Sequence, residues 1–600
     1  MGDCEAPSET IFFSMGRAVS TLSWLLGPLL LVLIAFGRSL SQGFAPIDDS
    51  LLIVENLAIR GVTLENLRTI LTTFDPELYI PLVFASFQLD YTLGGLNPWI
   101  FHLTNILLHA VNAALVAWLL LLLTQKRGLS LLGGFIFAVH PLHTEAVVWI
   151  AGRKDLLSTL FYLLTCSTYI HYRSGKRAVY AASLLCAFLA LLSKAMAVTL
   201  PAVLLLYDVL IEKRPLDRRL ILDKIPYVLL SILFMGIATF GKERVIASSS
   251  LLETILMAGK STIFYVQQFF VPLRFSLYYP HRGVIALSDP QFLIPLVLIL
   301  CTIAIALRFI RRASWLPFGL AFYLITLSPT FPNFHKGAAM FFAVDRYAYL
   351  PSIGILFLLV TALAKFSEKF RAAKPGPHLA SVLLLVLLTV FSLRQSRVWD
   401  SAESLFSHAL TLYPESINAR VDLARLYREQ GKEEEAFTLL KEGLRYGDDL
   451  YLRIAAGAVY AKIGQIADAR EQFERAREMD PRNPDPVFAL GSLYEQIGEE
   501  GRARALFEEA VQLDPSFVIA RVRLGKLYED EKRPAEAEEQ YRAALDWNPN
   551  SFDAHLAHGS LLLRIGNFED AEQHLRKAEA LRAYDHDVQS FLEKIRSTRM

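Results

Sequence analysis

The sequence predicts an all-α protein: a polytopic membrane bundle of about eleven helices followed by a soluble helical solenoid. Three observations carry this. Residues before 395 supply nearly all of the 53% hydrophobic content and of the positive mean hydropathy of +0.36. Lys and Arg concentrate in alternate connections between the apolar runs. After residue 395 the chain turns charged and helix-favouring, and a period of 33 to 34 residues takes over. With a net charge of +1 and no dense basic stretch, nucleic acid is not an expected partner. Cys4, Cys166, Cys186 and Cys301 are scattered, three of them inside apolar runs, so buried inert thiols are expected rather than disulfides or a thiolate metal site.

Apolar runs near the roughly 20 residues that span a bilayer fall at 20–37, 100–124, 131–149, 156–171, 178–193, 199–212, 225–241, 290–308, 314–330, 349–365 and 378–394. The first has only a weak cleavage pattern and reads as a transmembrane helix, not a removed signal. With the N-terminus cytoplasmic, the inside connections carry Lys126 and Arg127, then Arg173, Lys176 and Arg177, then Lys213, Arg214, Arg218 and Arg219, then Arg308, Arg311 and Arg312, and finally Lys365, Lys369 and Arg371. Each is basic, as the positive-inside rule requires.

The same topology gathers the other ionisable residues on the opposite side. Asp48 and Asp49 follow the first span in an external loop over 38–99. "AVHPLHTEAVVWIAGRKDLLS" brings His140, His143, Glu145, Arg153, Lys154 and Asp155, and later connections bring Lys194 and then Asp345, Arg346 and Tyr347. Charges at mid-bilayer cost about 2.5–3.5 kcal/mol on insertion scales, so such residues at span ends are candidates for function, the alternative being interfacial anchors. In the second span His102, Asn105, His109 and Asn112 share one helical face, a stripe that must point into the bundle. Three of them suit interhelical hydrogen bonding; His102, nearest the external surface, is the candidate for a substrate.

The solenoid extends over 396–581, with a capping helix over 582–600. Pro414, Pro481, Pro515 and Pro549 mark the period, as do Ala436, Ala469, Ala503, Ala537 and Ala571. The unit Leu490, Gly491, Tyr494, Gly498, Ala503, Phe507, Ala510, Pro515 is repeated as Leu524, Gly525, Tyr528, Ala537, Tyr541, Ala544, Pro549. This is the tetratricopeptide pattern, in which small residues let two antiparallel helices approach and aromatics fill the gap. Five repeats start near Ile417, Leu450, Pro484, Phe517 and Ser551, after a half-repeat holding Ala402, Phe406 and Ala409. Such solenoids bind extended peptides, other proteins or themselves.

A carboxylate at 48 or 49 can act as a general base toward a hydroxyl. Arg153, Lys154, Lys194 and Arg346 can stabilise a phosphate leaving group. A donor carried on a lipid reaches such a site sideways through the membrane. His140, His143 and Glu145 are also a conceivable set of ligands for a divalent ion such as Mg or Mn, although one phosphate needs no ion when cations surround it.

The stretches "FAPIDDSLLIVEN", "FHLTNILLHAVNA", "FAVHPLHTEAVVWIAGRKDLLS", "LLSKAMAVTLP", "DRYAYLPSIG" and "SRVWDSAESLF", followed by the repeats, resemble the transmembrane and tetratricopeptide-repeat protein O-mannosyltransferases and their bacterial relatives, of the GT-C glycosyltransferase superfamily. The resemblance implies a GT-C-like domain over 1–395 and a polyprenyl-phosphate sugar as donor. It implies inverting transfer to Ser or Thr hydroxyls, with a mannose-like sugar and an acceptor protein held by the solenoid. It also implies Asp48 and Asp49 as the acidic pair, with Asp48 the slightly favoured base, and His140, His143, Glu145, Arg153, Lys154, Asp155, Lys194, Arg346 and Tyr347 around the substrate. The chain departs from the family at Ile80, Ala195 and Asp345, where arginine, glutamate and glutamate are common, which leaves the sugar open. No Asn-x-Ser/Thr sequon occurs in the exported half and arginine outnumbers lysine in the solenoid, which favours a bacterial inner membrane with the solenoid in the periplasm over the endoplasmic reticulum with it in the lumen. The competing functions are a non-enzymatic membrane scaffold that recruits envelope proteins through the solenoid, and a glycosyltransferase acting on lipid or cell-wall glycan.

Overall fold

A computed structural model describes residues 15–72, 74, 79–172, 177–242, 249–336, 339–370 and 376–599. Cys4, Arg173, Lys176 and Arg371 lie outside the described residues. The N-terminal part is a helical bundle organised around Pro98–Thr124, which packs against Met15–Phe36, Arg127–Val139 and Arg153–Tyr172. Asn97 caps that central helix by accepting from the Trp99 N–H, and Pro98 occupies its first turn, where its missing N–H costs nothing. The stripe of His102, Asn105, His109 and Asn112 is buried, as its spacing predicts. His109 meets the Tyr349 hydroxyl at 2.7 Å, and Asn112 donates to the Leu156 carbonyl at 2.9 Å.

Four helices among the described residues are long and apolar enough to cross a membrane: Pro98–Thr124, Arg218–Thr239, Pro290–Arg308 and Leu379–Val398. The pair Arg127–Val139 and Pro141–Val148, bent by 51°, is long and apolar enough only when taken together, as a broken span or a re-entrant loop. The expected count of eleven is not reached because several apolar runs are divided or short. Run 199–212 is split across Ala195–Thr199, Leu200–Leu206 and Tyr207–Ile211, and run 314–330 gives a helix of 13 residues, Trp315–Leu327. The uncovered apolar faces are those of a membrane protein: Leu229, Leu233, Leu298, Leu300, Leu383 and Val386 are all exposed. Cys166 is buried as expected, but Cys301 is exposed on the apolar helix Pro290–Arg308, a position the sequence reading had placed inside the bundle.

A small antiparallel sheet interrupts the all-α plan. Ala339–Ala343 pairs with Tyr279–Pro280 on one side and with His335–Lys336 on the other. It brings the segment around Tyr279 to Asp345.

The C-terminal part begins with Ala402–Leu412 and continues as antiparallel pairs, from Ile417–Glu429 with Glu433–Gly443 to Phe552–Arg564 with Phe568–Leu581, and ends in His586–Arg599. A Cβ on Gly491 would stand 2.7 Å from the Phe507 ring, and one on Gly525 would stand 2.5 Å from the Tyr541 ring. The small-against-aromatic pairing that marks the period is therefore the contact that closes each helix pair. The solenoid is joined to the bundle by more than the chain itself, since Asp400 pairs with Arg38 and accepts from Gln42 at 2.9 Å.

Candidate active site

The predicted site residues come together around one tightly folded stretch. After Thr144–Val148 the chain makes a short 3-10 turn, Ile150–Gly152, and enters the helix Arg153–Tyr172. A Cβ on Gly152 would lie 2.5 Å from the Ala146 carbonyl oxygen, so only glycine lets the backbone double back there. The acidic loop is stapled to this turn. Asp49 accepts from the Ala151 N–H at 2.9 Å with one oxygen and from the Ala45 N–H at 2.8 Å with the other.

The two neighbouring carboxylates thus live in opposite settings. Asp49 is 1% exposed, whereas the Asp48 side chain is 45% exposed and stands 3.7 Å from the Lys154 ammonium. Burial pushes the Asp49 carboxyl up to about 7 against the pull of its two backbone N–H donors. A carboxyl held above its ordinary pKa of about 3.9 binds its proton more tightly folded than unfolded. Its contribution to stability is then complete below about pH 4 and is lost as pH rises through about 7. The thermal-unfolding advantage of the native chain over Asp49→Asn should shrink across that window, by about 4 kcal/mol in all. A pH-independent difference between the two chains would contradict this.

Cations and aromatic rings alternate beside Asp48. The Lys154 ammonium lies 5.0 Å from the Trp149 ring centroid and the Arg346 guanidinium 4.8 Å from the same ring. Arg346 also approaches the Tyr347 ring, at 5.4 Å, and the Lys194 ammonium lies 5.3 Å from that ring. Lys194 pairs with Asp155 at 2.5 Å, and Arg346 pairs with Glu145 by both its side chain and its backbone N–H. Burial holds Lys194 below the usual lysine range, with Asp155 opposing. Asp345, next in chain to Arg346, accepts from the Tyr279 hydroxyl at 2.7 Å; burial, with the charge of Glu145, holds it well above the carboxylate range. Arg346 Nε, Trp149 Nε1, Thr144 Oγ1 and Asp155 Oδ2 are buried with no hydrogen-bond partner among the described residues. Buried polar groups are normally satisfied, so two unused donors, one on the Trp149 ring and one on the guanidinium 4.8 Å from it, suit a polar, anionic ligand.

The other predicted residues sit differently. Arg153 is wholly buried and turned into the bundle, donating to Asp90 at 2.5 Å, the Phe101 carbonyl at 2.6 Å and Asn105 at 2.7 Å. His140 is 2.9 Å from the Phe269 carbonyl and accepts from the Leu142 N–H. His143 bridges the Phe137 carbonyl and the Ser352 hydroxyl, at 2.9 and 3.1 Å. Both nitrogens of each ring are engaged and Glu145 is held by Arg346, so these three do not converge as metal ligands. Among the described residues no group of three His, Cys, Asp or Glu is arranged to hold a metal ion. His102 is 3.4 Å from the Gly43 carbonyl, at the base of the acidic loop, and its Nδ1 makes no hydrogen bond among the described residues.

Sequence reasoning missed Trp149, which lies inside the quoted motif but was given no role, and Asp90 and Tyr279, which lie outside every motif. Only Trp149 carried a local signal, an aromatic residue four positions before Arg153 and five before Lys154.

Comparison with known proteins agrees with the resemblance in the motifs. Family models described as tetratricopeptide repeat match residues 454–516, 393–463 and 529–595. Human "Protein O-mannosyl-transferase TMTC2" is 39% identical over 142 residues, 23% of this chain and 17% of that protein. Human "Protein O-mannosyl-transferase TMTC1" is 26% identical over 69% of this chain and 54% of its own length. Human "Protein O-mannosyl-transferase TMTC4" is 24% identical over 67% of this chain and 64% of its own length. The chain thus spans only part of the length of these relatives. A thermophilic TPR protein of Thermus thermophilus, TTC0263, overlays with 18% identity and a TM-score of 0.27, over 30% of this chain and 98% of that one. The chain resembles proteins named as O-mannosyl-transferases over about two thirds of its length and tetratricopeptide-repeat models within residues 393–595.

Proposed function

We propose that the chain is a GT-C-type glycosyltransferase of about eleven spans, with the bundle over 1–395 as its catalytic domain and the solenoid as its acceptor-binding domain. It moves a mannose-like sugar from a polyprenyl-phosphate donor to Ser or Thr hydroxyls of exported proteins, with inversion. The observation that carries this reading is a run of cations that starts at the exposed Asp48 carboxylate: Lys154 stands beside it, Arg346 shares the Trp149 ring with Lys154, and Lys194 shares the Tyr347 ring with Arg346, while Arg346 Nε and Trp149 Nε1 have no hydrogen-bond partner among the described residues. The names of the relatives support the sugar and the acceptor class.

In this reading Asp48 takes the proton of the acceptor hydroxyl as its oxygen attacks the anomeric carbon. The bond from that carbon to the phosphate oxygen breaks, and the lipid phosphate leaves with the electron pair. Arg346 and Lys194 stabilise the charge that develops on it, in a setting from which rings exclude water. Asp49 does not exchange protons with substrate; it holds Asp48 in place by tying residues 45 and 151 together. A bacterial inner membrane with a periplasmic solenoid fits the absence of an Asn-x-Ser/Thr sequon from the exported half and the excess of arginine over lysine in the solenoid.

The test is transfer in membranes containing the full chain, supplied with radiolabelled polyprenyl-phosphate mannose, glucose or N-acetylhexosamine. Label in the protein fraction from one donor is the expected result. Label in lipid or cell-wall glycan alone would reassign the acceptor, and no label from any donor would leave the scaffold reading.

A further inference from the structure

The segment 274–282 lies between the candidate site and the first repeat of the solenoid, and touches both. On the site side, the Tyr279 hydroxyl donates to Asp345, and the Tyr278 ring stacks on Phe341 with centroids 5.5 Å apart. On the solenoid side, the Tyr278 hydroxyl donates to Asp422 at 2.7 Å, and Arg282 donates to the Tyr446 carbonyl at 2.5 Å. His408 is 3.1 Å from the Phe275 carbonyl, and Tyr413 packs edge-on against Tyr279 at 5.6 Å. Trp399 stacks on Trp149 with centroids 6.3 Å apart, so the junction between bundle and solenoid rests on the ring shared by Lys154 and Arg346.

The same junction reaches the carboxylate proposed as base: Lys154, 5.0 Å from the Trp149 ring on which Trp399 stacks, stands 3.7 Å from Asp48. Tyr278, half-buried, ties this junction to the first repeat. Asp422 is itself oriented, its second oxygen accepting from Arg425 at 2.8 Å. An open groove lies further along the solenoid. Phe488, Arg523, Lys526, Leu556, Phe591 and Lys594 line a cavity of about 810 Å³ in the later repeats, beginning two repeats beyond Asp422.

We infer that Tyr278 is an acceptor-positioning residue: its bond to Asp422, with the Arg282–Tyr446 contact beside it, fixes the first repeat over Asp48. A protein gripped in the later repeats is thereby led to the carboxylate in one direction. The inference rests on the glycosyltransferase reading and adds a property to it. The part of the acceptor that is gripped and the hydroxyl that is glycosylated are separate stretches of one chain, so the acceptor class is proteins with an extended segment rather than a short sequence around the modified residue. An extended chain advances at most about 3.3–3.6 Å per residue, which sets the minimum separation of the two stretches.

The test uses the full chain in membranes and compares wild type with Tyr278→Phe and Tyr278→Phe/Arg282→Ala. Phenylalanine keeps the stack on Phe341, so only the hydroxyl is lost. A hydrogen bond to a charged group corresponds to about a tenfold effect or more. The expected result is a KM for the protein acceptor raised about tenfold, with kcat, transfer to a free Ser/Thr peptide and release of sugar to water unchanged. Amides of 274–282 and 417–429 should exchange hydrogen faster in the same variants, a reading that needs no catalysis. Equal losses for protein and peptide, a fall in kcat with KM unchanged, or faster exchange with unchanged KM would each overturn the positioning role. A wild type that transfers nothing while the exchange difference persists would instead overturn the glycosyltransferase reading, and the acceptor role with it.

Discussion

Asp48→Asn is expected to lower sugar transfer by about 10²- to 10⁴-fold, the usual range for removing a general base, and to leave the chain as stable as before. The amide has the shape of the carboxylate but cannot take a proton from the acceptor. It costs the fold little because the Asp48 side chain is 45% exposed and its contact with Lys154, at 3.7 Å, is a partly solvated ion pair. The neighbouring substitution separates the two roles. Asp49→Asn places an NH2 group against one of the two backbone N–H donors that Asp49 now satisfies, leaving a buried donor unpaired at a cost of about 1–3 kcal/mol. Transfer should fall there too, but together with the order of the loop. Radiolabel transfer and thermal unfolding measured on both variants decide the assignment: if Asp48→Asn transfers normally, Asp48 is not the base.

Arg153→Ala is expected to destabilise the bundle by about 3–5 kcal/mol, because it leaves the Asp90 carboxylate buried without a counter-charge. The side chains of Arg153 and Asp90 are 0% and 2% exposed, and the guanidinium also satisfies the Phe101 carbonyl and Asn105. The paired replacement Arg153→Met with Asp90→Leu should recover most of the loss, since an apolar pair of similar volume removes both charges together. Thermal unfolding in detergent reads the difference. A stable Arg153→Ala chain that no longer binds the donor would instead make this arginine a phosphate ligand, the role the motif alone suggested.

The contrast between Arg153 and Lys154 shows what a sequence can carry about this fold. Arg153 and Lys154 are adjacent in a motif, but consecutive helical residues point about 100° apart. One turns to Asp90 and the other to Asp48, and no local pattern says which. The solenoid was legible because its defining contacts, such as Gly525 against Tyr541, recur at a fixed period. The inward stripe from His102 to Asn112 was legible from helical geometry. The Glu145–Arg346 pair joins residues 201 apart, and the aromatic partners Trp149 and Tyr279 complete the site through contacts of that long-range kind. The apolar runs do not all become single long helices among the described residues, because hydropathy does not register the breaks at Tyr207 and His140 that divide two of them.

The break at His140 has a consequence for the cost of the reaction. Arg127–Val139 is 13 residues long, about 20 Å at 1.5 Å per residue, against a hydrocarbon core of about 30 Å. If this helix starts at the cytoplasmic face, as the positive-inside reading has it, the 51° bend that follows sets the floor of the proposed site below the outer surface of the bilayer. A phosphate carried on an isoprenoid tail can reach that floor by lateral diffusion, with its tail still dissolved among the lipids. Drawing the tail out would cost about 0.8 kcal/mol for each methylene exposed. For the lipid-linked donor proposed above, sinking the site instead of lifting the donor would spare the protein that work of extraction and leave the binding energy of the cations for the phosphate and sugar.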